Sequence, residues 1–212
     1  RVPKFERVGG YFVEEVRREL IDKFGETARD GANSVYSGGL WVRTSMDRGV
    51  QESAAQALRD GLLRYDRGRG FSGPLRKVEI KGDRWQSALL NTNVTLDYND
   101  WRPAIIISRD ASAARIGFAN GTEGVLPRAA AQMPVRGKAT PAFGTLEPGD
   151  IIAVAPQGGQ FALRSVPKIS GGFVVQEPQS GRILAMQGGF DASLQSFNRA
   201  TQAMRQPGST IK

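Results

Sequence analysis

Ser209 and Lys212 form an S-x-x-K pair whose residue types and spacing could perform acyl transfer. Residues three apart share one helical face, so a helix over 208–212 would bring the lysine amine to the serine hydroxyl. The amine could then take the hydroxyl proton and make the serine nucleophilic. Pro207 and Gly208 suit a helix start, and the positive end of a helix favours developing negative charge. Ser209 is thus a candidate nucleophile and Lys212 its candidate activating group. The spacing alone leaves a second interpretation open, in which Ser209 caps a helix and Lys212 is a solvated surface charge.

The composition narrows the choice of base for this serine. The sequence contains no histidine and no cysteine, which excludes a Ser-His-Asp triad, thiol catalysis and the usual zinc sites within it. The base must then be Lys, Glu, Asp or Tyr. Because the usual pKa of lysine is about 10.4, a lysine base requires burial or a neighbouring cation that lowers its pKa. We expect no cofactor and no metal.

Two further motif matches serve as internal controls. Ser165 and Lys168 also have S-x-x-K spacing, but the intervening Pro167 disfavours a helix, so we interpret this copy as structural. Ser196 and Asn198 match an S-x-N element that normally follows the nucleophile in serine acyltransferases. Because they precede Ser209, we interpret this match as coincidence.

The overall composition is typical of a globular protein, with 40% hydrophobic and 24% charged residues. No run approaches the roughly 18 apolar residues that a membrane span needs. The net charge of +8 makes nucleic acid, an anionic membrane or an acidic partner possible ligands. The basic residues are spread along the chain rather than gathered in one stripe, so we expect no specific nucleic-acid site.

The first third of the chain has helical and strand-like patterns. Apolar residues at helical spacing predict a helix over 13–24 that ends at Gly25. Alternation over 40–45 predicts a strand. A second helix is predicted over 50–65, with Asp47 as its cap.

Residues 76–168 are rich in short strand-like runs separated by turn residues, which favours a small β-barrel or sandwich. Residues 146–150 are predicted to form a tight turn before the last of these runs, over 151–155. A hairpin is predicted next, with strands over 173–177 and 182–186 around a Pro-x-x-Gly turn. The predicted strands of the middle region are 78–80, 104–108, 114–118 and 151–155.

The residues around Ser209 carry a specific resemblance. The stretch 197–203, the run 205–209 and Lys212 together resemble the transpeptidase signature of class A penicillin-binding proteins. The hairpin before them, including 183–189, is similar to the stretch just upstream of that signature. The segment 36–47 resembles more loosely the strand that follows the glycosyltransferase domain of this family, and 76–168 resembles its OB-like insertion.

This resemblance implies an α+β fold in three parts: a helix-and-strand linker region over 1–75, an inserted OB-like β-barrel over 76–168, and the start of the serine-transpeptidase domain over 169–212. Of the family's catalytic residues, only Ser209 and Lys212 carry over. The glutamates of the first helix, Glu14, Glu15 and Glu19, are interpreted as its solvated face.

The activity that the resemblance implies is that of a bifunctional cell-wall synthase. Such enzymes polymerise glycan strands and cross-link peptidoglycan by acylating a serine with a D-Ala-D-Ala stem peptide, and β-lactams acylate the same serine. The expected partners are stem peptides, β-lactams and a regulatory protein at the OB-like insertion. The expected location is the periplasmic side of the bacterial inner membrane, with a single-pass anchor upstream. A chain that ends at Lys212 is expected to be inactive, because the family's later S-x-N and K-T-G elements would be missing.

Two alternatives remain from the residues alone. OB-like barrels often bind nucleic acid through aromatic side chains, and Trp85, Trp101 and Phe118 are the candidates, although barrel-core packing suits each of them better. The β-rich region could instead be an interaction module. Finding S-x-N and K-T-G elements downstream in the parent gene would favour the enzyme over both.

Overall fold

The structure, a computed structural model, describes residues 8–96, 98–204, 206 and 208–211. The chain divides into two compact units. The first, which we call the split unit, comprises the chain up to Leu58 together with Gly171 onward. The second, the β-rich unit, comprises Arg59–Ser170. The three-part division at 75 and 168 stays a prediction.

Three α-helices, three 3₁₀ helices and eight strands form within the described residues. The α-helices are α1 (Gly10–Phe24), α2 (Arg48–Asp66) and α3 (Trp85–Leu90), and the 3₁₀ helices are Arg128–Ala131, Ala142–Thr145 and Gly208–Ile211. The strands are β1 (Arg76–Lys77), β2 (Arg102–Arg109), β3 (Ala113–Gly117), β4 (Glu123–Pro127), β5 (Asp150–Gln157), β6 (Gln160–Arg164), β7 (Phe173–Gln176) and β8 (Ile183–Gln187). This mixture confirms the α+β class.

The β-rich unit is an antiparallel sheet with strand order β1-β5-β2-β3-β4, and β6 also pairs with β5. Its core combines branched side chains of these strands, such as the fully buried Ile106, Ile116, Ile152 and Val154, with Phe71, Phe118 and Phe143 from connecting segments. The sheet curls so that Gly124 of β4 lies against the ring of Phe161 of β6. Within the described residues no ladder joins β4 to β6, which is the geometry of a partly open OB-like barrel.

The two predicted N-terminal helices are confirmed, together with their ends. The N–H of Gly25 donates to the carbonyl of Ile21 (2.8 Å) and closes α1. The Asp47 carboxylate accepts the N–H of Val50 (2.9 Å), so this residue caps α2 as expected. The expected apolar face of α1 is wrong, because Val13 is 54% exposed and Tyr11 and its neighbour are the buried residues.

Two predicted strands are wrong. The segment 40–45 has no strand pairing, and Trp41 in its middle is 85% exposed, so the alternation there reflects no buried face. Only its end is attached: the hydroxyl of Ser45 donates to the carbonyl of Ile183 (2.7 Å). The strand predicted over 78–80 is also wrong, because the short β1 ends at Lys77.

The turn at 146–150 is confirmed and sets the approach of β5. The N–H of Asp150 donates to the carbonyl of Glu147 (3.0 Å), and its carboxylate accepts the Glu147 N–H (3.0 Å). Gly149 has a φ of +91°. A Cβ at this position would lie 2.0 Å from the carbonyl oxygen of Val78, so both the backbone angle and the close approach require glycine.

The turn between β2 and β3 provides a testable pH dependence. The Ser112 hydroxyl (2.7 Å) and the N–H groups of Ser112 and Ala113 donate to the Asp110 carboxylate and hold its pKa below the usual value. Because the folded pKa is lowered, this stabilisation is present above the unfolded pKa and is lost as pH falls through the folded one. Carboxyl NMR titration should show the low pKa, and Ser112→Ala should raise it.

The matched control for this titration lies in the next turn. The hydroxyl of Thr122 donates to the side chain of Asn120 (2.7 Å) in a similar arrangement. Thr122→Ala should leave the pKa of Asp110 unchanged. A pKa of Asp110 that does not respond to Ser112→Ala would show that the hydroxyl is not its main cause.

The split unit contains the confirmed hairpin of β7 and β8. Within this unit Gly171 lies beside Leu58, since a Cβ on Gly171 would be 3.6 Å from the Leu58 side chain. The chain therefore leaves this unit and returns to it at neighbouring points. In the described part of the chain, no helix combines the length and the apolar character needed to cross a bilayer.

Candidate active site

Ser209 lies in the 3₁₀ helix Gly208–Ile211, and its side chain is exposed. The predicted helix start is thus a single tight turn within the described residues. Lys212, Arg205 and Pro207 lie outside the described residues, so the distance between the Ser209 hydroxyl and the Lys212 amine stays a prediction.

The segment 188–204, which leads to Ser209, is organised by the buried side chain of Asn198. Its amide oxygen accepts the N–H of Ala200 (3.1 Å), and its amide nitrogen donates to the sulfur of Met186 (3.2 Å). The N–H of Asn198 donates to the side chain of Gln202 (2.7 Å). A Cβ on Gly188 would lie 2.0 Å from the Asn198 amide oxygen, so glycine is required there. Asn198 therefore fixes the segment that leads to Ser209.

A second buried amide, that of Gln51 in α2, holds the end of β8. Gln51 is fully buried. Its amide oxygen accepts the N–H of Met186 (2.9 Å), and its amide nitrogen donates to the Met186 carbonyl (3.2 Å). The amide thus pairs with both backbone groups of Met186, as the backbone of a neighbouring strand would. Sequence reasoning missed Gln51; its only signal was its place on the same helical face as Ala54 and Leu58.

Helix α1 anchors the same segment from another direction. The hydroxyl of Tyr11 donates to the carbonyls of Gln195 (2.9 Å) and Asp191 (3.3 Å). The hydroxyl of Thr201 donates to the carboxylate of Glu15 (3.0 Å). The N-terminal segment therefore contributes directly to the surroundings of the candidate site.

The two internal controls have structural roles. Ser165 lies outside any helix, and its hydroxyl donates to the Gly70 carbonyl (3.3 Å) and accepts the Ser72 N–H (2.9 Å). These contacts confirm the structural interpretation of the first S-x-x-K copy. Asn198 of the S-x-N match is the buried residue described above, whereas an S-x-N element of an active site would face the substrate.

The aromatic candidates for nucleic-acid binding have partners in the β-rich unit. The Phe118 ring packs against Phe161 at 4.8 Å, and Trp101 contacts Tyr98 edge to face at 5.1 Å. The Trp85 ring lies against Gly117, where a Cβ would be 2.3 Å from it. In the described part of the chain no group of three or more acidic side chains is arranged to hold a metal ion. The contacts of the three aromatic rings favour core packing over base stacking.

We therefore expect only weak, salt-sensitive binding of single-stranded DNA, because a spread positive charge supplies electrostatics without stacking platforms. Fluorescence anisotropy with a labelled oligonucleotide at physiological salt measures this affinity. Sub-micromolar binding that is lost in Trp85→Ala would contradict the expectation and support a nucleic-acid module.

Comparison with known proteins finds similarity to penicillin-binding proteins in both units of the chain. Residues 71–169 match the family described as "Penicillin-binding protein OB-like domain". A relative named "Penicillin-binding protein 1A" from Rickettsia typhi is 35% identical over 202 residues, which is 95% of this chain and 25% of the relative. The protein of the same name from Escherichia coli K12 is 32% identical over 213 residues, covering 95% of the chain and 24% of the relative.

A solved structure extends the match to the fold. The crystal structure of Penicillin-Binding Protein 1A from Haemophilus influenzae superposes with a TM-score of 0.68 and 29% identity, over 99% of this chain and 30% of that one. The chain belongs to the class A penicillin-binding proteins. It spans about a quarter of the length of the relatives that it matches (25% of the first). In this class A penicillin-binding protein, the β-rich unit corresponds to the OB-like domain, and Ser209 follows the anchored segment of the split unit.

Proposed function

We propose that this class A penicillin-binding protein takes part in peptidoglycan synthesis and cross-links stem peptides through Ser209. The observation that carries the proposal is the place of Ser209 in the 3₁₀ helix Gly208–Ile211, directly after residues that resemble the transpeptidase signature. The hydroxyl oxygen attacks the carbonyl between the two D-Ala residues of a donor stem peptide. The C–N bond breaks, D-Ala leaves with a proton, and an acyl-serine ester remains.

Lys212 is the proposed proton carrier. It takes the Ser209 proton as the C–O bond forms and delivers it to the departing amine of D-Ala. An amine of an acceptor stem peptide then attacks the ester, and the Ser209 oxygen regains a proton as the new amide forms. The absence of histidine from the whole sequence supports this role, because no imidazole within it is available to Ser209.

The wider role rests on the relatives. We propose that the full protein also polymerises glycan strands, is a β-lactam target, and works at the periplasmic face of the inner membrane with an anchor upstream. The OB-like unit is a proposed docking site for a regulatory protein. Support for these roles comes from similarity to proteins named Penicillin-binding protein 1A. The chain spans 25% of the Rickettsia typhi relative and 24% of the Escherichia coli one.

Adduct mapping tests the proposed nucleophile. The full-length protein is treated with a β-lactam, digested and analysed by mass spectrometry. The adduct should lie on the peptide that contains Ser209, vanish in Ser209→Ala, and persist in Ser165→Ala, which changes the structurally bonded copy. An adduct on Ser165, or undiminished labelling of Ser209→Ala, would overturn the assignment.

A further inference from the structure

We propose that Gln51 is a positioning residue for the Ser209 nucleophile, an inference that rests on the proposed transpeptidase function. Gln51 belongs to the first turns of α2, far from Ser209 in sequence and in a region interpreted above as a linker. Its side chain is fully buried in the split unit, next to β8, the strand that precedes the segment 188–204.

The contact between Gln51 and Met186 is bidentate. The amide oxygen accepts the Met186 N–H (2.9 Å), and the amide nitrogen donates to the Met186 carbonyl (3.2 Å) and, at 3.4 Å, to the side chain of Gln187. Both backbone groups of one buried residue are thus satisfied by one side chain. Removing that side chain leaves buried polar groups unpaired, which a local backbone shift would relieve.

Met186 connects Gln51 to the segment 188–204, which leads to Ser209. Its sulfur accepts a hydrogen bond from the Asn198 amide (3.2 Å), and the Asn198 carbonyl in turn accepts the N–H groups of Thr201 (3.3 Å) and Gln202 (2.8 Å). On the neighbouring backbone, the carbonyl of Gly188 accepts the N–H of Arg199 (3.1 Å). A shift of Met186 therefore moves Asn198 and the turn that follows it, from which the chain continues to Ser209.

Other contacts hold the fold without Gln51. Tyr11 binds the carbonyls of Asp191 and Gln195, and Glu15 accepts the hydroxyl of Thr201. The segment would therefore remain attached to α1 when the Gln51 amide is lost, with altered placement rather than unfolding. Misplacement of a reacting group by about 1 Å can cost about a hundredfold in rate.

The experiment separates β-lactam binding from acylation in the full-length protein. Stopped-flow measurements with a fluorescent penicillin give the dissociation constant of the initial complex and the first-order acylation constant. In Gln51→Met, which keeps the side-chain volume and loses the hydrogen bonds, the acylation constant should fall about tenfold to about a hundredfold while the dissociation constant stays nearly unchanged. Gln51→Ala should fall at least as far.

The control is Glu52→Ala, at the next residue of α2. The exposed Glu52 carboxylate pairs with Arg48 (2.8 Å), and its removal should leave both constants unchanged. Wild-type acylation constants in both Gln51 variants would overturn the inference. Equal losses of affinity and acylation with a lowered Tm would also overturn it, because they indicate a general structural role. If Gln51→Ala does not fold, Gln51→Met decides. Failure of the unaltered protein to be acylated would instead overturn the proposed function.

Discussion

Replacing Lys212 with alanine in the full-length protein should slow acylation of Ser209 by about a hundredfold to about ten-thousandfold, the usual contribution of a positioned proton acceptor. Without the amine, the serine hydroxyl must lose its proton to water while it attacks, and the departing amine lacks a proton donor. The second-order rate constant for acylation by a fluorescent penicillin measures the effect. Labelling should remain on Ser209, because the alanine variant keeps the nucleophile.

Lys168→Ala is the matched control for this result. Lys168 occupies the corresponding place after Ser165 in the other S-x-x-K copy, which lies in the β-rich unit. Its removal should leave the acylation constant at the wild-type value. Unimpaired acylation of Lys212→Ala would remove Lys212 from the proposed mechanism.

Gly149→Ala should destabilise the β-rich unit by more than about 3 kcal/mol, the sum of two separate penalties. A non-glycine residue at a φ of +91° is strained, and the new methyl group would lie 2.0 Å from the backbone carbonyl oxygen of Val78. Since the clash is with backbone, no side-chain rotation relieves it. Urea unfolding measures the change through Trp85 and Trp101, in a Trp41→Phe background that removes the third tryptophan.

Gly73→Ala isolates the contribution of the backbone angle. Gly73 has a similar φ of +101°, but a Cβ there would meet nothing within 4 Å. This variant should lose only about 1–2 kcal/mol. If Gly149→Ala were no worse than Gly73→Ala, the close approach between Gly149 and Val78 would carry no energetic weight.

The β-rich unit was largely predictable because its strands are buried apolar runs bounded by turn residues. Three predicted runs, over 104–108, 114–118 and 151–155, lie within β2, β3 and β5 apart from one residue at the end of β3. The segment 40–45 shows alternation rather than an apolar run and has no partner strand, and Trp41 is exposed. Alternation therefore predicts a strand only where tertiary pairing supplies the second edge.

The candidate site was also predictable only in part. The Ser209 motif is contiguous in sequence and could be recognised locally, whereas Gln51 reaches Met186 across 135 positions of the chain. A buried glutamine on an otherwise apolar helical face has no local signature that reveals its partner. Asn198 stood in the stretch that resembles the family signature and in the coincidental S-x-N match, but its structural role was not predictable, because the contact of its amide with the Met186 sulfur arises from folding.

The neighbouring positions of Leu58 and Gly171 have a consequence for the order of events during translation. The first part of the split unit leaves the ribosome before the β-rich unit, yet its partner β8 is made only after residue 170. At ordinary elongation rates the helix carrying Gln51 waits on the order of ten seconds for Met186. During this interval the β-rich unit, which is contiguous, can fold alone. The segment 188–204 is therefore made only after the whole β-rich unit has been synthesised.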